Sequence, residues 1–432
     1  MSFLSIDRDL ARDSYYAATV RRGPGHPALS ADVDCDVAVV GGGLAGLSAA
    51  LELAGKGFDT VLLEAREVGW GASGRNGGQA IHGLACDQET IEAQVGLEEA
   101  RRVWDMSIEA LDLIRRRMAD HEIDCDWRDG YLGLATSRGK AEDLSRWADR
   151  MDEVYGAGFT RIPEADVRRW IDSPRYKGGI HDPRSGHLHP LKYSLGVAAA
   201  ATRAGARLHE NTHVTAVEPH AGGVRVRTAQ GQVNAKQALL AGNVYLQGVS
   251  PKLEDRIMPV GTYIVCSAPI DGALCDSLVP TRSAVCDTNF VLDYFRPTND
   301  NRLLYGGRVS YSTLTPRNLA QGMRDRMVGT FPQLAGIGVD HAWGGFVDIT
   351  MNRAPDFGRL SPNLYYLQGF SGHGLALTGL AGKLVAEAMS GDASRFDVFA
   401  RLKHHAFPGG RWLRTPALVL GMAWYRLRDL LG

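Results

Sequence analysis

Three glycines and one acidic residue early in the chain have the spacing of a dinucleotide-binding site. Gly41, Gly43 and Gly46 follow the apolar run at 37–40, and Glu64 ends the next apolar run. Such glycines allow a tight turn, let the backbone approach a pyrophosphate and let a helix pack closely on a strand, and an acid about 20 residues further on binds the ribose. We therefore predict a βαβ unit with the pyrophosphate at its helix N-terminus. The predicted contacts are Gly41, Gly43, Leu44, Ala45, Gly46, Glu64 and Ala65.

A second glycine-rich segment, at 69–79, matches the same glycine spacing but predicts a different structure. No strand leads into it, and residues 75–79 are too rich in glycine to open a packed helix. We predict a loop whose backbone N–H groups and side chains contact the cofactor. Because the sequence has no second dinucleotide-binding unit, it should hold one dinucleotide; if that is a flavin, NAD(P)H should not be the reducing substrate. The predicted contacts are Gly71, Ala72, Ser73, Arg75, Asn76, Gly77, Gly78 and Gln79.

A third segment, at 364–376, consists of a short apolar strand, a glycine-rich turn and a helix. The N-terminus of such a helix can face an anion or a polarised carbonyl. A reduced flavin carries negative charge near N1 and O2, and a helix dipole aimed there favours electron acceptance. The alternative is a tight turn with no ligand. The predicted contacts are Gly369, Phe370, Ser371, Gly372, His373 and Gly374.

Three stretches of sequence, at 68–79, 352–359 and 369–374, resemble one known family. They are similar to the FAD-dependent amine and amino acid oxidoreductases of the D-amino acid oxidase and glycine oxidase superfamily, and most of all to its branch of bacterial gamma-glutamylputrescine oxidases. Residues 15–18 and 407–411 are also similar, so the resemblance covers nearly the whole chain. The glycine motif at 41–46 is shared by many flavoproteins, whereas the runs at 74–78 and 369–374 are narrower signals.

The resemblance implies FAD as the cofactor and gives roles to further residues. Val214 would contact the adenine through its backbone, and Gly242 would lie in the loop after the returning strand. Residues 73–79 would wrap the pyrophosphate and the flavin. The helix beginning near Gly374 would point at the pyrimidine edge of the flavin ring.

Strand–helix units at both ends of the chain and a β-rich middle predict a mixed α/β (α+β) protein. Its Rossmann-type FAD-binding domain would be discontinuous, with a β-rich substrate domain inserted. We predict a lead-in at 1–34, the FAD-binding domain at 35–90, 187–250 and 352–392, the substrate or cap domain at 91–186 and 251–351, and a helical extension at 393–432.

Two departures from related enzymes narrow the chemistry. Sarcosine oxidases in the superfamily attach FAD through a cysteine, but residues 347–352 contain none, so FAD should be non-covalent. Amino acid oxidases hold the substrate carboxylate with an arginine, the natural bidentate partner, yet none stands near Phe346 and Val347. Arg353 is close in sequence, and we interpret it as structural. An amine is therefore favoured over an α-amino acid.

Four residues are candidates for the substrate side of the site. His82 could face the flavin, and an ordinary hydrogen-bonded histidine is the alternative. Tyr263, Tyr294 and Trp343 could form an aromatic slot for a cation, and core aromatics are the alternative. His187 and His189 are spaced like a ligand pair, but without a third ligand we predict no metal site.

Composition and charge exclude several other classes of protein. A net charge of −1 gives no basis for nucleic-acid binding. The sequence contains no apolar run long enough for a transmembrane helix, so we predict none. The six scattered cysteines favour a reducing cytoplasm over a disulfide framework. Residues 416–431 could form an amphipathic helix, which we expect to dock on the protein itself.

The sequence therefore predicts an FAD enzyme that oxidises a C–N bond of a gamma-glutamylputrescine-like amine. Hydride would pass to flavin N5, the imine would hydrolyse to an aldehyde, and O2 or another acceptor would reoxidise the flavin. One alternative is a dehydrogenase or oxidase of glycine, sarcosine or D-amino acids. Another is a non-catalytic subunit that binds FAD.

Overall fold

The computed structural model describes residues 7, 10, 11, 13–289, 291–310, 318–408 and 410, which form two β-sheets and the helices around them. The strands are β1 Val33–Val40, β2 Thr60–Leu63, β3 Gln79–Ala80, β4 Arg128–Ala135, β5 Thr160–Ile162, β6 Gly178–His187, β7 Arg207–His209, β8 Val214–His220, β9 Gly223–Thr228, β10 Gln232–Leu240, β11 Met258–Ser267, β12 Ala284–Asp287, β13 Tyr294–Pro297, β14 Leu303–Ser310, β15 Val339–Ile349, β16 Asp356–Ser361 and β17 Leu364–Gln368. The helices are α1 Tyr15–Thr19, α2 Leu44–Gly55, α3 Gln88–Val95, α4 Leu97–His121, α5 Arg138–Tyr155, α6 Val167–Trp170, α7 Pro190–Arg203, α8 Pro251–Glu254, α9 Gly272–Leu278, α10 Leu319–Thr330, α11 Gly374–Met389 and α12 Phe396–Ala400.

The first sheet carries the predicted dinucleotide unit. Its strands follow the order β16-β17-β10-β1-β2-β7, and the five from β17 to β7 are parallel. The central strand β1 is buried on both faces, which explains its nearly continuous apolar run. Helices α2, α7 and α11 cover one face, and the antiparallel strands β8 and β9 help to bury the other.

The second sheet forms the β-rich middle of the chain. Its order is β15-β11-β14-β13-β12-β4-β6-β3, with β5 paired to β6, and its pairs are antiparallel except β12 with β4. One face packs on α9 and α10 through a core that includes Leu132, Phe295 and Tyr305. Strand β3 belongs to this sheet and begins at Gln79, the last residue of the predicted flavin loop. Because that loop comes from the first sheet, this short strand connects the two sheets.

The predicted elements and the observed ones agree best where apolar periodicity is strong. The helix predicted at 44–56 is Leu44–Gly55, and the three-stranded meander at 214–240 is β8, β9 and β10. The strand predicted at 290–296 begins only at Tyr294, and Phe290 lies outside the described residues. The amphipathic helix predicted at 416–431 also lies outside them.

Helix α4 shows how the two predicted domains meet. Its buried residues, including Val103, Ala110 and Ile114, share one core with α2, α7 and α11 of the first sheet. This packing favours assigning α4 to the FAD-binding part rather than to the cap predicted at 91–186. The domain boundaries themselves stay a prediction. Across the described ranges, every helix is too short or too polar to span a lipid bilayer.

Candidate active site

The glycines after β1 are required by close contacts of the backbone. A Cβ atom on Gly46 would lie 2.0 Å from the carbonyl oxygen of Gly41, and one on Gly41 would lie 2.6 Å from the carbonyl oxygen of Ala241. Gly41 also has a φ of 117°, which side chains disfavour. Gly43 is the N-cap of α2 and makes no side-chain cap. These contacts bring the positive end of α2 against the turn and leave it without bulky side chains.

Glu64 stands at the end of β2, beside this turn. Its carboxylate accepts hydrogen bonds from the backbone N–H of Gly42 at 2.6 Å and of Arg66 at 2.8 Å. Burial raises the pKa of Glu64, while these two donors oppose that shift. The backbone of Thr212, two residues before Val214, donates to the carbonyl of Glu64 at 2.8 Å. The predicted ribose and adenine contacts therefore lie close together, and Ala65 follows directly.

Replacing Glu64 by alanine is expected to weaken FAD binding by about ten- to a hundredfold. Its charge-assisted hydrogen bonds are worth about 1.5–3 kcal/mol in total. Titration of the apoprotein with FAD, followed by flavin fluorescence, measures the effect. The control is Glu67→Ala, since Glu67 is half-exposed and pairs with Arg22 at the surface. Equal FAD affinity in the two variants would show that Glu64 does not serve the cofactor.

The loop at 71–79 lies across the N-terminus of α2. Leu44 N–H donates to Ser73 Oγ at 2.8 Å, which ties the loop to the helix. Asn76 holds the loop's shape because its Nδ2 donates to the carbonyls of Ala72 and Ser73, and its Oδ1 accepts from Gly78 N–H at 2.8 Å. Gln79 Nε2 donates to the carbonyls of Val285 and Phe295 in the second sheet. The loop is thus fixed to both sheets.

Arg75, assigned to the cofactor by sequence, has protein partners around its whole guanidinium group. It forms a buried ion pair with Asp7, donates to the carbonyls of Trp70 at 2.7 Å and of Gly344 at 2.8 Å, and stacks on the Trp70 ring at 4.9 Å. Its backbone carbonyl accepts from Trp343 Nε1 at 2.9 Å. Asp7 is a site residue that sequence reasoning missed, because it lies 68 positions away.

The third segment forms a tight turn before α11. Gly369, Ser371 and Gly372 all have positive φ values, and the N-cap His373 makes no side-chain cap. His373 Nε2 lies 2.8 Å from the carbonyl oxygen of His82, so the turn meets the residues that follow the flavin loop. Burial lowers the pKa of His373 to about 4, which keeps it neutral. The positive end of α11 therefore lies beside the loop at 71–79.

The three aromatic residues that were predicted to form a slot for a cation do not line a single surface. Tyr294 lies between Gly77 and Gly306, where added Cβ atoms would come within 2.7 Å and 2.1 Å of its ring. Trp343 is fully buried in a neighbouring cluster that Tyr294 touches. Tyr263 belongs to a separate cluster, because it faces the opposite side of β11 from Ile264, which packs with Trp343. Tyr294 contacts the flavin loop at Gly77, and Trp343 Nε1 donates a hydrogen bond to the carbonyl of Arg75 in the same loop at 2.9 Å.

His82 sits in a polar and aromatic environment that sequence reasoning did not reveal. Its Nδ1 lies 2.6 Å from Asp182 Oδ2, and its backbone N–H donates to Ser185 Oγ at 3.0 Å. The rings around it belong to Trp104, Tyr131, Trp147 and Phe159. Burial alone would raise the pKa of Asp182, but hydrogen bonds from His82 and Ser185 and the charge of His82 lower it below its ordinary value. A role for His82 in the reaction stays a prediction.

The two remaining histidine candidates have structural partners. His187 Nε2 lies 2.8 Å from the carbonyl oxygen of Arg282, and His189 caps α7 by accepting from Lys192 N–H at 3.2 Å. Both side chains are buried. Among the described residues, no group of three or more His, Cys, Asp or Glu side chains could hold a metal ion.

The assembled residues fit an FAD. The N-terminus of α2, with no side chain on Gly41, Gly42 or Gly43, suits a pyrophosphate, and Glu64 stands next to it. The loop at 71–79 and the N-terminus of α11 adjoin this end of the first sheet. Val214 begins β8, and Gly242 precedes the turn at Asn243–Tyr245. These contacts remain proposals residue by residue.

Comparisons with known proteins identify the family. Residues 36–388 match the family described as FAD dependent oxidoreductase (DAO), and the chain belongs to it. The chain is 44% identical over 421 residues to the gamma-glutamylputrescine oxidoreductase of Escherichia coli, covering 97% of this chain and 98% of that protein. The predicted enzyme class and FAD cofactor are confirmed. Non-covalent binding of FAD is typical of this family, and residues 347–352 contain no cysteine.

Solved structures of the same fold support the assignment of the architecture. A glycine oxidase from Geobacillus kaustophilus has a TM-score of 0.70 and 22% identity, covering 83% of this chain and 95% of that one. An L-proline dehydrogenase from P. horikoshii has a TM-score of 0.69 and 20% identity, covering 84% and 94%. The predicted fold, a Rossmann-type FAD domain combined with a β-rich part, is confirmed.

Proposed function

We propose that this protein oxidises an amine that carries a gamma-glutamyl group, as in gamma-glutamylputrescine. The observation that carries the proposal is the 44% identity to the E. coli gamma-glutamylputrescine oxidoreductase over almost the full length of both chains. The strand β15 adds support, because its eleven residues include no arginine that could hold an α-carboxylate. An amine donor fits this site better than a free α-amino acid.

The chemistry divides between the cofactor and the chain. FAD, when bound, accepts a hydride from the carbon next to the amine nitrogen. The chain must bind the amine uncharged, since a protonated nitrogen has no lone pair to stabilise the carbon that loses hydride. Burial beside Tyr294 disfavours the charged amine, whereas an aromatic face attracts it. The imine product hydrolyses to an aldehyde.

The electron acceptor and the compartment complete the proposal. We assign reoxidation of the flavin to O2 or another electron acceptor. A cytoplasmic location is supported by the six cysteines, all of which are free.

The test is anaerobic mixing of the purified holoenzyme with a panel of compounds while the flavin absorbance is followed. A gamma-glutamylated diamine should bleach the flavin far faster than glycine, sarcosine or D-alanine. Putrescine is the matched control, because it has the same reacting amine without the gamma-glutamyl group. Faster bleaching by a free α-amino acid would replace the proposal with an amino acid oxidoreductase. No bleaching by any compound would point to a flavoprotein outside amine oxidation.

A further inference from the structure

Asp348 is a buried acid beside the predicted flavin edge. It lies near the end of β15 and is 2% exposed. Its Oδ2 accepts a hydrogen bond from Gly369 N–H, and the nearby Asn243 side chain and Phe370 N–H act with Gly369 to lower the pKa of the carboxyl. The carbonyl of Asp348 accepts from Ser371 N–H at 2.9 Å. The residue therefore holds the whole turn that leads into α11.

The donors around this carboxylate are neutral. Pro259 stands opposite it on β11, Asn243 belongs to the neighbouring turn, and the residues of the loop at 369–371 are uncharged. No ion pair to Asp348 occurs in the described part of the chain. Burial raises the pKa of Asp348 to about 7, although each N–H donor opposes the shift. Its charge therefore changes near neutral pH.

The titratable side chains of β11, of the turn at Asn243–Tyr245 and of the residues after the Gly369 turn are Tyr245, Tyr263, Cys266 and His373. Charged side chains also stand near the Gly369 turn: Asp356 packs against Gly369 and pairs with Arg256 at 3.5 Å, and Glu254 lines the same cavity as Asn243 and Pro259. Burial raises the pKa of Tyr245 and that of Cys266, and it lowers that of His373 to about 4. These three groups stay neutral at pH 7. They do not compete with Asp348 for a proton in that range.

The position of Asp348 links its charge to that of the cofactor. It binds the turn before α11, whose N-terminus is assigned to the flavin's pyrimidine edge. A hydride brings two electrons and one proton to the flavin, so the reduced cofactor gains one negative charge. Two negative charges in a dry interior repel each other far more than in water. The carboxylate and the reduced cofactor therefore disfavour each other.

We infer that Asp348 takes up a solvent proton when the bound flavin is reduced and releases it when the flavin is reoxidised. The inference rests on the FAD site of the proposed function but not on the identity of the amine. Coupling of this kind is reciprocal: if reduction increases the proton affinity of Asp348, protonation of Asp348 raises the flavin's midpoint potential by the same free energy. We expect a change in proton affinity on the order of tenfold.

The first test measures the midpoint potential of the holoenzyme from pH 5.5 to 9, with a redox dye and no amine. In the wild type, the midpoint potential should fall more steeply as pH rises from about 7 to 8, by up to about half an extra proton per two electrons, which is what a tenfold change in proton affinity gives. Asp348→Asn should lose that extra slope and have a higher potential above pH 8. Asp340→Asn is the control, because Asp340 lies on the same strand but is exposed and pairs with Arg302. Identical curves for Asp348→Asn and the wild type would overturn the inference.

A second measurement needs no variant. Photoreduction of the wild-type holoenzyme in weak buffer, followed with a pH indicator, counts the protons taken up per two electrons. Uptake should exceed one proton per two electrons by up to about half a proton between pH 7 and 8, and uptake of one proton throughout that range would contradict the inference. Because no amine is present, failure here is distinct from failure of the substrate panel.

Discussion

Gly46→Ala is expected to lose FAD binding, whereas Gly55→Ala, in the same helix, keeps it. A Cβ at Gly46 would lie 2.0 Å from the Gly41 carbonyl oxygen and 3.2 Å from Val39 Cγ1. The Gly41 carbonyl oxygen belongs to the backbone and cannot rotate away as a side chain could. Helix α2 must therefore move away from β1. Overpacking costs about 1–3 kcal/mol and occasionally more, and a clash with backbone belongs at the upper end, on the order of a hundredfold in affinity.

Gly55 provides a matched control because a Cβ there would meet nothing within 4 Å. Alanine in place of glycine stabilises helices by up to about 1 kcal/mol, so Gly55→Ala should fold at least as well as the wild type. FAD titration of both apoproteins, with circular dichroism to confirm folding, separates a lost site from a lost fold. If Gly46→Ala bound FAD with wild-type affinity, the contact between turn and helix would not be needed for the cofactor.

The dinucleotide unit could be predicted from sequence because its constraints are local. Gly46 lies five residues after Gly41, and a Cβ atom on Gly46 would clash with the carbonyl oxygen of Gly41. The last four residues of β1, at 37–40, are buried and appear as an unbroken apolar run in the sequence. Local steric rules and periodicity were sufficient to place α2 and β2 within about one residue and to place the end of β1 at Val40, whereas β1 begins at Val33, before the apolar run at 37–40.

Contacts between residues that lie far apart in the sequence could not be predicted from local patterns. Strand β6 has glycine, histidine, proline and serine among its residues and no apolar alternation; it is a strand because β4 and β5 supply its hydrogen-bond partners. Asp182 lies 100 positions from His82. No sequence pattern indicates that His82 and Asp182 lie in contact.

Arg75 is the clearest case of a residue whose predicted role and observed partners differ. The family resemblance predicts that Arg75 contacts the cofactor as part of the flavin loop. In the structure its guanidinium group contacts a buried carboxylate, two backbone carbonyls and an aromatic ring. Its Nη1 reaches Asp7 Oδ1 at 3.0 Å, and Tyr245 donates its hydroxyl to the same carboxylate. Arg75 thus joins the start of the chain, the flavin loop and β15. A cofactor contact and an anchoring role predict different phenotypes.

Arg75→Met is expected to destabilise the apoprotein by about 3–5 kcal/mol, because it leaves Asp7 charged and buried without its cation. The double variant Arg75→Met with Asp7→Leu should recover much of that loss, since replacing both partners removes the unpaired charge. Arg138→Met is the control: Arg138 and Glu164 form an exposed pair, and its loss should leave stability unchanged. Urea unfolding of the three apoproteins measures these effects. If Arg75→Met unfolded like the control but bound FAD weakly, Arg75 would act on the cofactor rather than anchor the chain.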